Sequence, residues 1–232
     1  MFAFVQDKKH HDPTQGTGST YSRPHASMKP SLPFLTAVPA LLLGLLLGIG
    51  AGPADAASSP APAPAATAAS GTCPTLLDHR FDDLQTGKPV DLCQYRGKVV
   101  IVVNTASFCG FAPQLGQLET LYRKYGRDGL VVLGFPSDDF HQEFDNPLRI
   151  VPYSRKHYQV SFPLFNVSHV TEPHPNPLYE QLILASGVQP KWNFYKYLIG
   201  RDGKFVAEYS SLTSPDSREF RTRVLQLLRA TP

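Results

Sequence analysis

Cys109 is the residue whose type and setting offer nucleophilic chemistry. It follows the apolar, β-branched run Val99 to Val103, which reads as a strand covered on both faces. Beyond Pro113, Leu115, Leu118, Leu121, Tyr122 and Tyr125 fall at helical spacing, and Asn104 to Gly110 between the two reads as a turn. A cysteine that opens a helix at such a junction meets unpaired backbone N–H groups and the positive end of the helix dipole, both of which favour thiolate. Lone cysteines are more often buried structural thiols. The position of this one, past the end of a strand in a loop held by a rigid scaffold, favours the reactive alternative.

The elements that must position Cys109 follow from the pattern on either side. Phe81, Leu84, the turn residues Thr86-Gly87-Lys88-Pro89, then Val90 and Leu92 suggest a short hairpin leading towards the central strand. After the helix, Gly129 supplies a stop and Leu130 to Phe135 reads as a second buried strand, so the two strands form a parallel βαβ unit. The polar loop Pro136 to Asn146 then leaves the sheet on the same edge as Cys109, where open α/β sheets build their sites. Gln142 lies in that loop and on pattern alone is a solvated amide. Arg149 to Tyr158 is a candidate helix that Pro152 would delay or break, and Pro177 to Ser186 is a clearer one, closed by Gly187. Lys191 to Ile199, the turn Arg201-Asp202-Gly203 and Lys204 to Tyr209 read as a hairpin. Phe220, Val224, Leu227 and Leu228 mark a last amphipathic helix, with Thr213-Ser214-Pro215 as its start signal. This order fits an α/β, thioredoxin-like fold with a central mixed sheet flanked by helices.

The 232 residues carry a net charge of +3 with no basic run, which argues against a nucleic-acid partner. Residues 1–27 are polar and aperiodic and read as an over-extended N-terminus. Residues 28–56 combine a short basic start, an apolar stretch and the small-residue site Ala54-Asp55-Ala56, the pattern of a secretory signal peptide. Its alternative is an uncleaved membrane anchor; cleavage would leave no stable membrane insertion and would place the protein in the periplasm or outside the cell. Residues 57–72, rich in Pro and Ala, are expected to be a disordered linker, and 73–232 the folded domain. In an exported chain with three cysteines, one economical assignment pairs Cys73 with Cys93 and leaves Cys109 free; three free thiols are the other. His169, Glu172 and His174 lack a further ligand and sit among prolines, so a solvated loop is expected there rather than a metal site. Asn166-Val167-Ser168 fits a glycosylation acceptor.

Three separated motifs, in order, resemble the glutathione peroxidase family. Asn104 to Gly110, NTASFCG, is similar to the segment that holds its peroxidatic cysteine or selenocysteine. Gly134 to Phe140, GFPSDDF, with Gln142-Glu143 behind it, resembles the loop of its active-site glutamine. Trp192-Asn193-Phe194, followed by Lys196-Tyr197-Leu198-Ile199, resembles the segment of its tryptophan and asparagine. The likeness runs from about Leu76 to Leu228. It implies a catalytic tetrad of Cys109, Gln142, Trp192 and Asn193, no cofactor and no metal, a peroxide substrate, and an external thiol reductant such as glutathione or a thioredoxin-like protein.

Departures from the family pattern carry their own expectations. Ser154 and Ser137 stand where relatives place a resolving or second cysteine, which implies a one-cysteine cycle. Phe108 stands where many relatives carry lysine, and the loop around Gln142 is one residue shorter and lacks Pro-Gly. The short connection from Ser186 to Lys191 lacks the insertion of tetrameric relatives and implies a monomer. Without the resemblance, Trp192 reads as a core or rim aromatic and Asn193 as a strand-start residue. The functional expectation is a thiol-dependent peroxidase of hydrogen peroxide or organic hydroperoxides. Its rivals are a redox sensor or thiol-binding module without turnover, and a protein thiol oxidoreductase, which Ala112 disfavours by occupying the second cysteine position of a C-x-x-C motif.

Overall fold

A computed structural model of the chain describes residues 72–230. The expected N-terminal extension, the signal-like segment and all but the end of the linker lie outside the described residues. The centre is β3 (Val99–Thr105), whose seven residues are all buried. Full burial stabilises by about 1.5–3 kcal/mol for each large aliphatic side chain, which is why this apolar run takes the middle of the sheet. It pairs in parallel with β4 (Leu130–Pro136) and antiparallel with β5 (Lys196–Ile199), and β6 (Phe205–Tyr209) pairs antiparallel with β5. The sheet order is β4-β3-β5-β6. The hairpin β1 (Arg80–Asp82) and β2 (Pro89–Asp91) forms a separate two-stranded sheet.

The period of two along β3 divides the core into two layers. Val99, Ile101 and Val103 pack with Leu115, Leu118 and Leu121 of α1 (Gln114–Tyr125) and with Phe220 and Val224 of α4 (Arg218–Arg229). Val100 and Val102 face the other way, towards Leu178, Tyr179 and Leu182 of α3 (Pro177–Ser186). The remaining helix, α2 (Ile150–Tyr158), contains Pro152 in its first turn, where the missing N–H would have had no intrahelical partner; the proline neither delays nor breaks it.

Four expectations are corrected in detail. β3 continues through Asn104 and Thr105, because Asn104 remains in register with Phe135 of β4. The helix after Cys109 does not open at the cysteine: turns whose N–H groups reach back three residues, Ala112 to Cys109 and Leu115 to Ala112, lead into α1 at Gln114. β5 begins only at Lys196, since Phe194 adopts a left-handed backbone (φ 67) and the chain before it turns rather than pairs. The last helix starts at Arg218, capped by Ser217, whose side chain accepts from the Phe220 N–H, and not by Thr213-Ser214-Pro215. Cys73 and Cys93 form a disulfide with a Cα separation of 5.6 Å, an ordinary span for that bond, and Cys109 is the free thiol. Among the described residues no helix is long and apolar enough to cross a membrane.

Candidate active site

Strand β3 carries Cys109 to the edge of the sheet at which the β4 loop also emerges. The thiol is 5 % exposed and belongs to the core layer of Val103, Leu115 and Phe194. Its Sγ accepts a hydrogen bond from the Phe111 N–H at 3.5 Å, so a backbone donor of the turn, rather than the first turn of α1, meets the sulfur. Phe108 beside it is 56 % exposed and stacks edge-on against Phe144 with ring centroids 4.5 Å apart. Tyr153 of α2 packs against Phe144 as well, and the Arg149 guanidinium lies over the Phe144 ring.

The Gln142 loop is held to the cysteine turn from two directions. The Phe108 N–H donates to the Gln142 carbonyl at 2.9 Å, and Glu143 Oε1 accepts from the N–H groups of Ser107 at 3.3 Å and Phe144 at 2.8 Å. Glu143 is buried, and its Oε2 has no hydrogen-bond partner. Burial pushes its carboxyl up, outweighing the bonds from Ser107 and Phe144, and the negative Asp138 pushes the same way. The loop turns on His141 in the left-handed region (φ 56), two residues before Glu143. On its far side Asp139 accepts from the N–H groups of Val170 and Thr171 and pairs with His169 Nδ1 at 2.6 Å. Burial would raise the Asp139 carboxyl, but the Val170 N–H, His169 and the Thr171 hydroxyl together hold it below the usual range. His169, weighed from the sequence against a metal site, thus pins a loop, and among the described residues no cluster has the makings of a metal centre.

The third segment is fastened by Asn104, the polar end of β3. Its Nδ2 donates to the Trp192 carbonyl at 3.1 Å, its Oδ1 accepts from the Tyr195 N–H at 2.9 Å, and its own carbonyl accepts from the Phe194 N–H at 2.7 Å. This clamp takes the chain out of the β5 ladder and presents Trp192 and Asn193 towards the Gln142 loop. Asn193 Nδ2 donates to Gln142 Oε1 at 3.0 Å, while Trp192, 40 % exposed, stacks on Phe140 at 5.4 Å.

The structure therefore joins Gln142 to Asn193 directly, ties the Gln142 loop to the Cys109 turn through the Phe108 N–H, and ties the Trp192-Asn193 segment to Asn104 at the end of β3. None of the three side chains stands within hydrogen-bonding distance of Sγ; the Phe111 N–H does. Among the described residues the Gln142 amide N–H and the Trp192 indole N–H donate to no protein acceptor, so both remain open to a ligand, on segments fastened to Phe108 and Asn104 at the sheet edge from which the Cys109 turn leaves. Such an arrangement can stabilise negative charge as it develops on sulfur or oxygen. Asn104, Glu143 and Lys196 were not singled out by sequence reasoning. A usable signal existed for two of them: Asn104 interrupts a wholly apolar strand, and Lys196 sits inside an aromatic, apolar run.

Comparison with known proteins agrees with this architecture. A family model described as glutathione peroxidase matches residues 77–183. A hydroperoxy fatty acid reductase of Synechocystis is 42% identical over 141 residues, which cover 56% of this chain and 83% of the relative. A glutathione peroxidase-like peroxiredoxin of Saccharomyces cerevisiae is 40% identical, over 56% of this chain and 84% of its own. Among solved structures, Trgpx in its apo form superposes with a TM-score of 0.55 at 33% identity, covering 69% of this chain and 99% of that one. Identity of this order over most of the relatives' length, on the same fold, makes the chain a member of the glutathione peroxidase family.

Proposed function

We propose that the chain is an exported thiol-dependent peroxidase in which Cys109 is the peroxidatic nucleophile and Gln142, Trp192 and Asn193 assist it. The observation that carries the reading is a free thiol in the turn after β3, tied by the Phe108 N–H to the loop whose Gln142 meets Asn193. In the first step the Cys109 thiolate attacks one oxygen of the hydroperoxide, the O–O bond breaks, and the product alkoxide or hydroxide leaves and takes up a proton. Cys109 becomes a sulfenic acid. The Gln142 and Trp192 donors are suited to the thiolate and to the charge that develops on the leaving oxygen.

Ser137 and Ser154 are buried hydroxyls at the positions where a second thiol would stand, which favours reduction by an external thiol. That thiol condenses with the sulfenic acid to a mixed disulfide, releasing water, and a second thiol releases Cys109. The Phe108, Phe144 and Tyr153 rings give the cysteine an apolar border, which favours organic hydroperoxides over hydrogen peroxide, in keeping with the name of the Synechocystis relative. The signal-like segment argues for export, and the Cys73–Cys93 bond fits an oxidising compartment. The short connection after α3 favours a monomer.

Steady-state peroxide consumption tests the reading, with cumene hydroperoxide or hydrogen peroxide as acceptor and glutathione or reduced thioredoxin as donor. Turnover with either donor, faster with the organic peroxide and absent in Cys109→Ser, is expected. A chain that oxidises at Cys109 yet turns over with neither donor would instead fit the redox-sensor reading.

A further inference from the structure

Lys196 opens β5 and is wholly buried. Its ammonium donates to Gln114 Oε1 at 2.8 Å, the Phe194 carbonyl at 2.7 Å and the Ser210 carbonyl at 3.1 Å. All three acceptors are neutral, and no carboxylate among the described residues pairs with it. Burying a cation without a counter-ion is unfavourable, and an apolar side chain of the same length would avoid the penalty. The charge therefore calls for an account in what it holds and what it faces.

What it holds is the back of the candidate site. Gln114 is the first residue of α1, and its Nε2 donates to the Ser211 carbonyl at 2.6 Å. The Ser211 hydroxyl donates in turn to the Asn193 carbonyl at 2.6 Å. Phe194 is the left-handed residue that ends the Trp192-Asn193 turn. One ammonium thus joins the helix behind Cys109, the turn that presents Asn193 and the chain leaving β6.

What it faces is the layer of Cys109. Lys196 is in register with Val103 of β3, and by the period of two it shares a side of β5 with Leu198. Val103, Leu198, Phe194, Leu115 and Cys109 form one buried cluster on that side of the sheet. The titratable groups of the packed elements are Tyr209, its register partner on β6, Tyr195 and Tyr197 on its own segment, and Glu208, which is in register with Tyr197; α1 adds the buried Glu119, paired with Arg123, and Tyr122, Lys124 and Tyr125, and α4 brings Glu219 and Arg223 near Tyr209. Phe108, at the position where a lysine would sit beside the cysteine, supplies no charge. Burial lowers the Lys196 ammonium to about 7, so it is charged on the acid side of neutrality, where an ordinary thiol is least ionised.

On the reading that Cys109 is the nucleophile, we propose that Lys196 is a positioning residue that fixes the Trp192-Asn193 turn against α1 and biases Cys109 towards thiolate from behind the site.

The test is the rate of iodoacetamide alkylation of Cys109 as a function of pH in the wild-type chain, Lys196→Met and Ser211→Ala. Removing one nearby opposite charge is expected to slow alkylation roughly tenfold near about pH 6. The gap should close above about pH 9, where an ordinary thiol ionises unaided. Ser211→Ala loosens the same scaffold but keeps the cation, and should leave the shape of the profile in place. Should Lys196→Met fail to fold by circular dichroism, Lys196→Gln, which keeps a donor without the charge, makes the same comparison. A uniform slowing at every pH, or no slowing, overturns the proposal. Alkylation needs no peroxide. A Lys196-dependent profile in a chain that consumes no peroxide would therefore sink the peroxidase reading alone, and a Lys196-independent profile in an active peroxidase would sink this one alone.

Discussion

Asn104→Ala removes the clamp that turns an ordinary strand end into part of the site. The substitution deletes the bond from Nδ2 to the Trp192 carbonyl and the bond from the Tyr195 N–H to Oδ1. The Tyr195 N–H is then left buried without an acceptor, which costs about 1–3 kcal/mol, and the partly buried Trp192 carbonyl loses a bond worth roughly 0.5–1.5 kcal/mol. A destabilisation of about 1.5–4.5 kcal/mol follows, within the roughly 5–15 kcal/mol of a typical domain, so the variant folds but is weakened. Its larger effect is expected on the reaction. With its carbonyl released, the Trp192 backbone is held only through the Phe194 N–H bond to the residue 104 carbonyl and through Asn193, and a displacement near 1 Å costs about 100-fold in rate. Asn104→Asp keeps the acceptor for Tyr195 but aims a second oxygen at the Trp192 carbonyl, and should be at least as destabilised at neutral pH, with partial recovery as the carboxyl protonates. Urea unfolding gives the first quantity and stopped-flow peroxide reduction the second. A loss below about 0.5 kcal/mol together with a wild-type peroxide rate would refute the clamp, because surface-like behaviour is what an unneeded polar side chain shows.

Other sites give separable outcomes. Phe108→Lys places a cation beside the thiol and breaks the stacking on Phe144; it should speed alkylation of Cys109 near neutral pH and lower the preference for cumene hydroperoxide over hydrogen peroxide, read from the ratio of the two kcat/KM values. Replacing Cys73 and Cys93 together by Ser opens a crosslink of sequence separation 20 and should cost about 3 kcal/mol in urea unfolding, with the peroxide rate of the folded enzyme unchanged. Glu143 contributes through its raised carboxyl: its stabilisation is present below its ordinary value of 4.5 and is lost as pH rises through the raised one. Glu143→Gln should therefore flatten the fall in stability above that value, and parallel urea-midpoint curves for variant and wild type across the acid range would contradict the assignment.

The scaffold was legible in the sequence to the extent that it rests on local periodicity. The buried runs of β3 and β4, the apolar stripes of α1 and α4 and the Gly187 stop of α3 follow from residue types and spacing, because a covered strand and a one-sided helix leave different signatures. The failures have a common physical cause. β5 is shorter than its apolar run because Asn104, 91 residues from Tyr195, captures the backbone bond that a ladder would use. α4 starts late because Ser217, three residues beyond Ser214, provides the capping oxygen. The meeting of Gln142 with Asn193, 51 residues apart, was legible only through resemblance to a family; no spacing rule brings a loop amide to a turn across the sheet edge. Glu143 was overlooked because a charged residue reads as solvent-facing unless its partners are known, and its partners are backbone N–H groups that carry no sequence signal; Lys196 stood out in its apolar run, but its partners, two carbonyls and the Gln114 amide 82 residues away, follow from no local pattern.

Under the proposed function Cys109 reduces peroxide with the assistance of Trp192. Trp192 is the chain's sole tryptophan, so its fluorescence reports on the site alone. Mixing the reduced chain with peroxide in a stopped-flow instrument should give a fluorescence change whose rate rises in proportion to peroxide, accompanied by one added oxygen on Cys109 by mass spectrometry, both absent in Cys109→Ser. A Cys109 that gains no oxygen while the fold remains intact would contradict the account.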